Sequence, residues 1–307
     1  MNAPLQAPFP WFGGKRTVAA DIWARFGPVD NYVEPFFGSG AVLLARPAPW
    51  RGVETVNDAD GMVANFWRAV SADPDAVARW ADWPVSEADL HARHYWLVTE
   101  GRERLARFLG RPDGYDAQVA GWWVWGICSW IGSGWCSGEG PWQWNGEQWA
   151  KNAGRGINRQ LPHLGDAGQG IRDAFAALAR RLRRVRVAHG DWSRVVGDSV
   201  TWRHGRTAVF LDPPYSADIR AAVYATETDC AADARAWAIE AGKRPDMLIC
   251  LAGYDGEHAM PDGWAAYRWK ARGGFGSQGN GRGRTNSALE TLWFSPACAP
   301  AMQDTFL

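Results

Sequence analysis

The chain of 307 residues has material for one large core or two smaller ones, and the expectation is a single catalytic domain with an insertion. It shows no leading basic-then-apolar segment and no apolar run of about 18 residues, so the expectation is a cytoplasmic protein with no membrane partner. Net charge is zero, with 33 Lys and Arg against 33 Asp and Glu, so any nucleic-acid partner must be held by local basic patches.

Residues 1–10 are Pro-rich and apolar and read as an extended lead-in. Trp11-Phe12-Gly13-Gly14-Lys15-Arg16 then opens a segment, Thr17 to Phe26, with apolar residues at helical spacing, ended by Gly27-Pro28. Paired glycines at a helix start permit close backbone approach to a ligand, and Lys15 can pair with a carboxylate; a glycine turn with a solvated lysine accounts for the same residues. Next, Asn31-Tyr32-Val33-Glu34-Pro35-Phe36-Phe37 reads as a short strand reaching the Gly38-Ser39-Gly40 turn, with an apolar helix from Ala41. Small residues at such a turn let a nucleotide-like cofactor lie against the backbone at a helix N-terminus. Val53-Glu54-Thr55-Val56-Asn57-Asp58 reads as a second strand ending in an acid, the place where a ribose diol is commonly held in dinucleotide-binding units. The full G-x-G-x-x-G fingerprint of a Rossmann-type dehydrogenase is absent at Gly38, which argues against that class.

From Gly61 to about Arg111, Met62, Phe66, Val70, Val77, Trp80, Leu90 and Leu105 mark several amphipathic helices. His91 and His94 lie at i and i+3 with no third ligand spaced near them, and read as helix-face residues rather than metal ligands. Gly121 to Trp149 interleaves Trp122, Trp123, Trp125, Trp130, Trp135, Trp142, Trp144 and Trp149 with Gly, Ser and Pro. Trp122 to Ile131 suits a buried helix, whereas Gly132 to Gly146 is too glycine-rich for one regular element. The indoles suit a packed aromatic subcore, or stacking on unpaired bases. Lys151 to Phe210 then holds 12 Lys and Arg against 4 Asp and Glu. It begins as a polar loop with Arg155 and Arg159 and continues as a helix, Ile171 to Leu182, running into Arg180, Arg181, Arg183, Arg184 and Arg186. Cations complement a helix C-terminus, but five arginines within seven residues exceed that role and point to phosphate contact, Arg181 and Arg184 included.

Val209-Phe210-Leu211-Asp212-Pro213-Pro214-Tyr215 is the most restrictive stretch. Its apolar run suits a buried parallel strand, and the prolines end it because they cannot donate to a sheet ladder. Ligands bind at the carboxyl ends of strands in open α/β sheets. An exocyclic base amine is a poor nucleophile because its lone pair is conjugated with the ring. Acceptors on both of its N–H bonds would localise that pair and aim it at an electrophile. The Asp212 carboxylate and the Pro213 carbonyl can be those acceptors, Pro214 stiffens the turn, and Tyr215 offers a face on which an extruded base can stack. Further on, Tyr224 lies in a loop that can cover such a base, Cys230 to Ala241 is helical, and Met247 to Ala252 is the next buried strand. Lys270 to Arg284, with Lys270, Arg272, Arg282 and Arg284 among six glycines, reads as a basic loop that orders on a phosphate backbone, or as a hairpin tip. Leu289 to Phe294 gives a final strand. The cysteines at 128, 136, 230, 250 and 298 lack C-x-x-C spacing and suggest neither a zinc site nor a disulfide framework.

Asp212-Pro213-Pro214-Tyr215 resembles motif IV of the amino-methyltransferases, which methylate exocyclic nitrogens of nucleic-acid bases using S-adenosylmethionine. Trp11-Phe12-Gly13-Gly14-Lys15 resembles motif X of the Dam-type (α-class) DNA adenine methyltransferases. Val33-Glu34-Pro35-Phe36-Phe37-Gly38-Ser39-Gly40 resembles their motif I, and Asn57-Asp58 their motif II. The order of these motifs is that of the class. The resemblance implies that Trp11 and Lys15 contact the methionine end of the cofactor, that Phe36, Gly38 and Gly40 form its turn, and that Asp58 holds the ribose hydroxyls. It also implies that Asp212 lies near the reacting methyl as well as the target amine. By position, His189-Gly190-Asp191-Trp192 would place Asp191 and Trp192 beside the cofactor adenine.

The fold expected is therefore α/β, a Rossmann-like methyltransferase sheet, mixed but mostly parallel. Residues 1–85 and 171–307 form the catalytic and cofactor-binding domain, and 86–170 a mainly helical, Trp/Gly-rich inserted target-recognition subdomain. The reaction expected is methyl transfer from S-adenosylmethionine to adenine N6 in DNA, with no metal. The alternatives are cytosine N4, adenine in RNA, or a non-catalytic nucleic-acid-binding module on the same fold. No motif identifies a cognate restriction enzyme.

Overall fold

A computed structural model describes residues 5–11, 13–111, 114–130, 135–136, 142–144, 149–151, 169–214, 230–269 and 290–300, without the side chains of 142–144, 149–151 and 169. Helix α1 (Ala19–Phe26) leads to strand β1 (Asn31–Glu34), the one-turn helix α2 (Ala41–Leu44) and strand β2 (Val53–Asp58). Helices α3 (Gly61–Ala72), α4 (Pro74–Ala81), α5 (Glu87–Trp96), α6 (Arg102–Phe108) and α7 (Ala117–Ser129) follow, with a π-helical turn at Leu97–Gly101 joining α5 to α6. Their starts are written in the sequence. The side chains of Asp60, Asp73, Ser86 and Asp116 accept from backbone N–H groups in the first turns of α3, α4, α5 and α7, and Pro74 opens α4 where a missing donor costs nothing. The remaining elements are the hairpin strands β3 (Trp142–Trp144) and β4 (Trp149–Lys151), α8 (Gln169–Leu182), β5 (Val185–His189), β6 (Thr207–Leu211), α9 (Ala231–Ala241), β7 (Met247–Tyr254), β8 (Ala265–Trp269) and β9 (Glu290–Phe294).

Seven strands form one sheet in the order β5-β2-β1-β6-β7-β9-β8. The first five are parallel, whereas β9 runs antiparallel to both β7 and β8. This is the mixed, mostly parallel α/β sheet expected. Strand β6 is buried throughout, as its unbroken apolar run requires, and ends at Leu211 ahead of the two prolines. Alternation along it feeds two cores. Phe210 joins the larger cluster, where α1, α3, α4, α7 and α8 cover one face of the sheet, while Val209 and Leu211 join Val33, Ile249 and Leu251 against α9 on the other.

Two expectations change. The apolar run after Gly40 makes only one helical turn, because the chain from Ala45 leaves for the Arg46–Trp50 bend that precedes β2. The boundary near residue 85 does not separate two cores. The ring of Phe9 packs on Trp123 of α7 at 4.9 Å and on Phe66 of α3 at 5.3 Å, and Phe66 packs on Phe175 of α8 at 5.9 Å. The first part of the insertion is thus a continuation of the helical layer. Its tryptophans behave accordingly: Trp123, Trp125, Trp130 and Trp135 are buried, His94 lies against the rings of Trp130 and Trp135, and the Arg93 guanidinium sits 4.4 Å from the ring centre of Trp125. Burial lowers the His94 imidazole to about 4, which keeps it neutral in that aromatic setting.

Candidate active site at the carboxyl edge of the sheet

The carboxyl ends of β1, β2 and β6 lie side by side, since Glu34 is level with Val56 and Val33 with Val209. At the end of β1 the chain turns through Gly38, with φ +46°, so closely under Trp11 that a Cβ on residue 38 would come within 2.2 Å of the indole nitrogen. Trp67 of α3 donates to the Gly38 carbonyl at 2.8 Å. The turn is also held from β2. Asp58 accepts from the Gly38 N–H at 2.8 Å and from the Asp60 N–H at 2.9 Å, and Asn57 donates to the carbonyls of Pro35 and Gly190. Burial, then the charge of Asp60, pushes the Asp58 carboxyl up to about 7. The acid at the end of β2 therefore first shapes the glycine turn.

Lys15 comes from the one-turn 3-10 helix that follows Gly14 and is buried. Its ammonium lies 3.0 Å from Asp212 Oδ1, at the end of β6, and 3.6 Å from Glu290 Oε2. The carboxylate partner foreseen for Lys15 is thus Asp212, nearly two hundred positions away in the chain. Burial alone would lower the lysine, but the two carboxylates outweigh it and raise its pKa, so it stays charged. Burial raises Asp212, with the Lys15 charge opposing. Glu290 was not foreseen. It opens β9, and because β9 is antiparallel its first residue falls level with Tyr254, at the same edge where the parallel strands end. Trp269, its neighbour across the β8–β9 pair, places its ring 6.0 Å from the Lys15 nitrogen.

Lys15 and Asp212 line a small open cleft with Trp11, Glu34, Phe36 and Ser39. Glu34 is the other group not foreseen from the sequence. Its carboxyl accepts from the Tyr32 hydroxyl at 2.8 Å and from the Leu43 N–H at 3.2 Å, yet burial pushes it up to about 8, so it is mostly protonated at neutral pH. The unfolded chain has this group near 4.5. Folding therefore takes up a proton between that value and about 8, and the associated stability, complete below it, is lost as pH rises through about 8. Asp58 acts with the same sign up to about 7. Below about pH 6.5 the depressed His94 acts with the opposite sign, so the melting midpoint should fall between roughly pH 6.5 and pH 8, and Glu34→Gln should flatten that fall. A wild-type midpoint that climbs across the range contradicts this assignment.

Phe36 and Trp192 stack at 5.9 Å with their planes 28° apart, beyond the ends of β1 and β5. Asp191 is exposed and accepts from the Ser193 N–H at 2.9 Å and from the Ser193 hydroxyl, bonds that lower its pKa. Pro213 and Pro214 continue from β6 at the same edge. Arg181 requires correction. It is buried, its guanidinium makes two bonds of 2.7 Å to Glu54 and a third to the Leu43 carbonyl, and Trp50 covers it at 4.3 Å. That geometry leaves no face for a phosphate. Arg184, two residues past the end of α8, is exposed. Tyr215, Tyr224, Arg155, Arg159, Lys270, Arg272, Arg282 and Arg284 lie outside the described residues. Among the described residues no three His, Cys, Asp or Glu side chains gather as a metal site, and no helix is long and apolar enough to cross a membrane.

Residues 11–94 match the family model of the D12 class N6 adenine-specific DNA methyltransferases, while no curated protein matches the chain. The matched segment carries Trp11, Lys15, the glycine turn and Asp58, the residues that meet Asp212 and its neighbours at one edge of the sheet. Over residues 11–94 the chain is thus similar to the D12 class N6 adenine-specific DNA methyltransferases.

Proposed function

We propose that the cleft beside Asp212 binds S-adenosylmethionine and that Asp212, Pro213, Pro214 and Tyr215 hold the target adenine against it. The observation that carries this reading is the buried contact of Lys15 with Asp212, which joins the start of the chain to the end of β6 at the mouth of the glycine turn. Two carboxylates, Asp212 and Glu290, face one ammonium there, while Glu34 is held mostly protonated, so the site keeps a negative excess. Such an excess suits a cationic methyl donor. S-adenosylmethionine supplies an electrophilic methyl group on a sulfonium.

In this reading Trp11 and Lys15 bound the methionine end, and Phe36, Gly38 and Gly40 form the floor. Asp58, whose carboxylate has lone pairs beyond the two used by the backbone, takes the ribose hydroxyls. Asp191 and Trp192 flank the adenine, the indole by its face. Asp212 and the Pro213 carbonyl accept from the target amine, and Tyr215 stacks on a base taken out of the duplex. Arg155, Arg159, Arg184, Lys270, Arg272, Arg282 and Arg284 contact phosphates, and residues 86–170 carry target recognition.

The test is equilibrium binding of S-adenosylmethionine to wild type and Asp58→Asn. The substitution removes a charge-assisted bond to the glycine turn, so affinity should fall about tenfold while the fold persists. Equal affinity of the two proteins would remove Asp58 from the site, and no binding by wild type would overturn the cofactor reading.

A further inference from the structure

Lys15 is held by more than Asp212. The Gly13 carbonyl accepts from its ammonium at 3.4 Å, Asp212 Oδ1 lies at 3.0 Å and Glu290 Oε2 at 3.6 Å, so three acceptors face a group with three N–H bonds. The two carboxylates come from strands that do not touch. Asp212 follows β6 and Glu290 opens β9, with β7 between them in the sheet. Neighbouring strands lie about 4.8 Å apart, so these two ends stand roughly 10 Å from each other, and the lysine reaches both over the end of β7. Their surroundings differ. The Asp212 side chain is 14% exposed and lines the cleft, whereas that of Glu290 is 4% exposed, with Trp269 as its neighbour across the β8–β9 pair.

That asymmetry matters for the target amine. A carboxylate paired with an ammonium has much of its charge neutralised and accepts more weakly from a further donor, and Asp212 in its 3.0 Å contact is in that state. When N6 bonds to the methyl carbon, the carbon–sulfur bond breaks with its electron pair kept by sulfur, and the positive charge passes to nitrogen until a proton leaves to water. A full charge on Asp212 stabilises that nitrogen, and a bound Lys15 weakens the effect. The lysine can leave Asp212 only if a second counter-charge stands ready, because an unpaired ammonium in a buried site is costly. Glu290 is such a counter-charge. Closing its 3.6 Å distance to the 3.0 Å now held by Asp212 takes a shift of about 0.6 Å, which the flexible four-carbon stem of the lysine allows without moving the Gly13 turn.

We propose that Glu290 is a positioning residue for methyl transfer: it takes Lys15 from Asp212 as the target amine enters, and so leaves the Asp212 carboxylate to the amine. The more accessible carboxylate serves the substrate, and the enclosed one keeps the cation. Glu290 acts only through Lys15. The reversed direction of β9 supplies it, since a parallel strand in that place would bring its last residue, not its first, to this edge. This inference rests on Asp212 being the residue that orients the amine.

The experiment is a double-mutant cycle in single-turnover methylation of mixed-sequence DNA at saturating S-adenosylmethionine, with wild type, Glu290→Gln, Lys15→Met and the double variant, and with Glu290→Asp and Asp212→Ala beside them. With Lys15 present, Glu290→Gln should slow transfer about thirtyfold because the ammonium stays on Asp212, whereas in the Lys15→Met background the same change should cost less than about threefold. Glu290→Asp keeps the charge and should recover most of the rate. A packing defect would give equal losses in both backgrounds and would not separate Gln from Asp. Glu290→Gln at the wild-type rate, equal losses with and without Lys15, or Glu290→Asp as slow as Glu290→Gln would overturn the assignment. Should Lys15→Met give no product, the Gln and Asp variants decide by themselves. If wild type methylates adenine and Asp212→Ala does not, a failed cycle removes the role of Glu290 alone. A wild type with no methylated product, or Asp212→Ala at the wild-type rate, removes the reading of the Asp212 site on which it rests.

Discussion

Asp212→Ala should lower the single-turnover rate of methyl transfer by about a thousandfold or more, the scale on which one preorganised partner of a reacting group matters, and should leave S-adenosylmethionine binding measurable. Rate and affinity separate because the residue has two neighbours of different kinds. Towards the cleft it is the counter-charge of Lys15, a role that Glu290 partly shares at 3.6 Å. Towards the substrate, in the reading proposed above, it is the acceptor that aims the amine. Quenched-flow transfer of labelled methyl to DNA and equilibrium binding of the cofactor check the two halves separately. A variant within about tenfold of the wild-type rate would show that the amine is oriented elsewhere.

Arg181→Ala should act on stability. Both oxygens of Glu54 accept from Arg181, while Arg46 holds one of them at 2.8 Å, and all three side chains are buried. Arg46 keeps the carboxylate charge compensated, but Glu54 Oε2 and the Leu43 carbonyl lose a donor in a buried site, a loss of about 1–3 kcal/mol. Chemical denaturation should show it as a lower midpoint at unchanged slope. Arg184→Ala, at an exposed position, should leave the midpoint alone. Equal stability of Arg181→Ala and wild type, with weakened DNA binding, would restore the phosphate role inferred for Arg181 from the arginine run.

What was legible in the sequence was local. A strand ending in Asp-Pro-Pro, a strand ending in Asn57-Asp58 and a glycine turn each announce themselves through backbone requirements that few residues meet, and all lie where expected. What was not legible depends on partners far apart in the chain. Nothing near Arg181 distinguishes it from Arg184; the difference is Glu54, which arrives with β2 more than a hundred positions away. Glu290 joins the site only because β9 reverses direction, and β8, with the exposed and half-exposed side chains of an edge strand, has no apolar run to announce it. The tryptophans at 123, 125, 130 and 135 form a subcore because α7 packs into the helical layer. Their number alone also allowed stacking on bases.

In the proposed reading the site at the ends of β1 and β6 methylates adenine through Asp212. Nucleoside mass spectrometry of mixed-sequence DNA, incubated with S-adenosylmethionine and either wild type or Asp212→Ala, tests it most directly. N6-methyldeoxyadenosine should form with wild type alone. Methyl on cytosine N4, an undiminished yield from Asp212→Ala, or no methylated base on duplex or single-stranded DNA would contradict it.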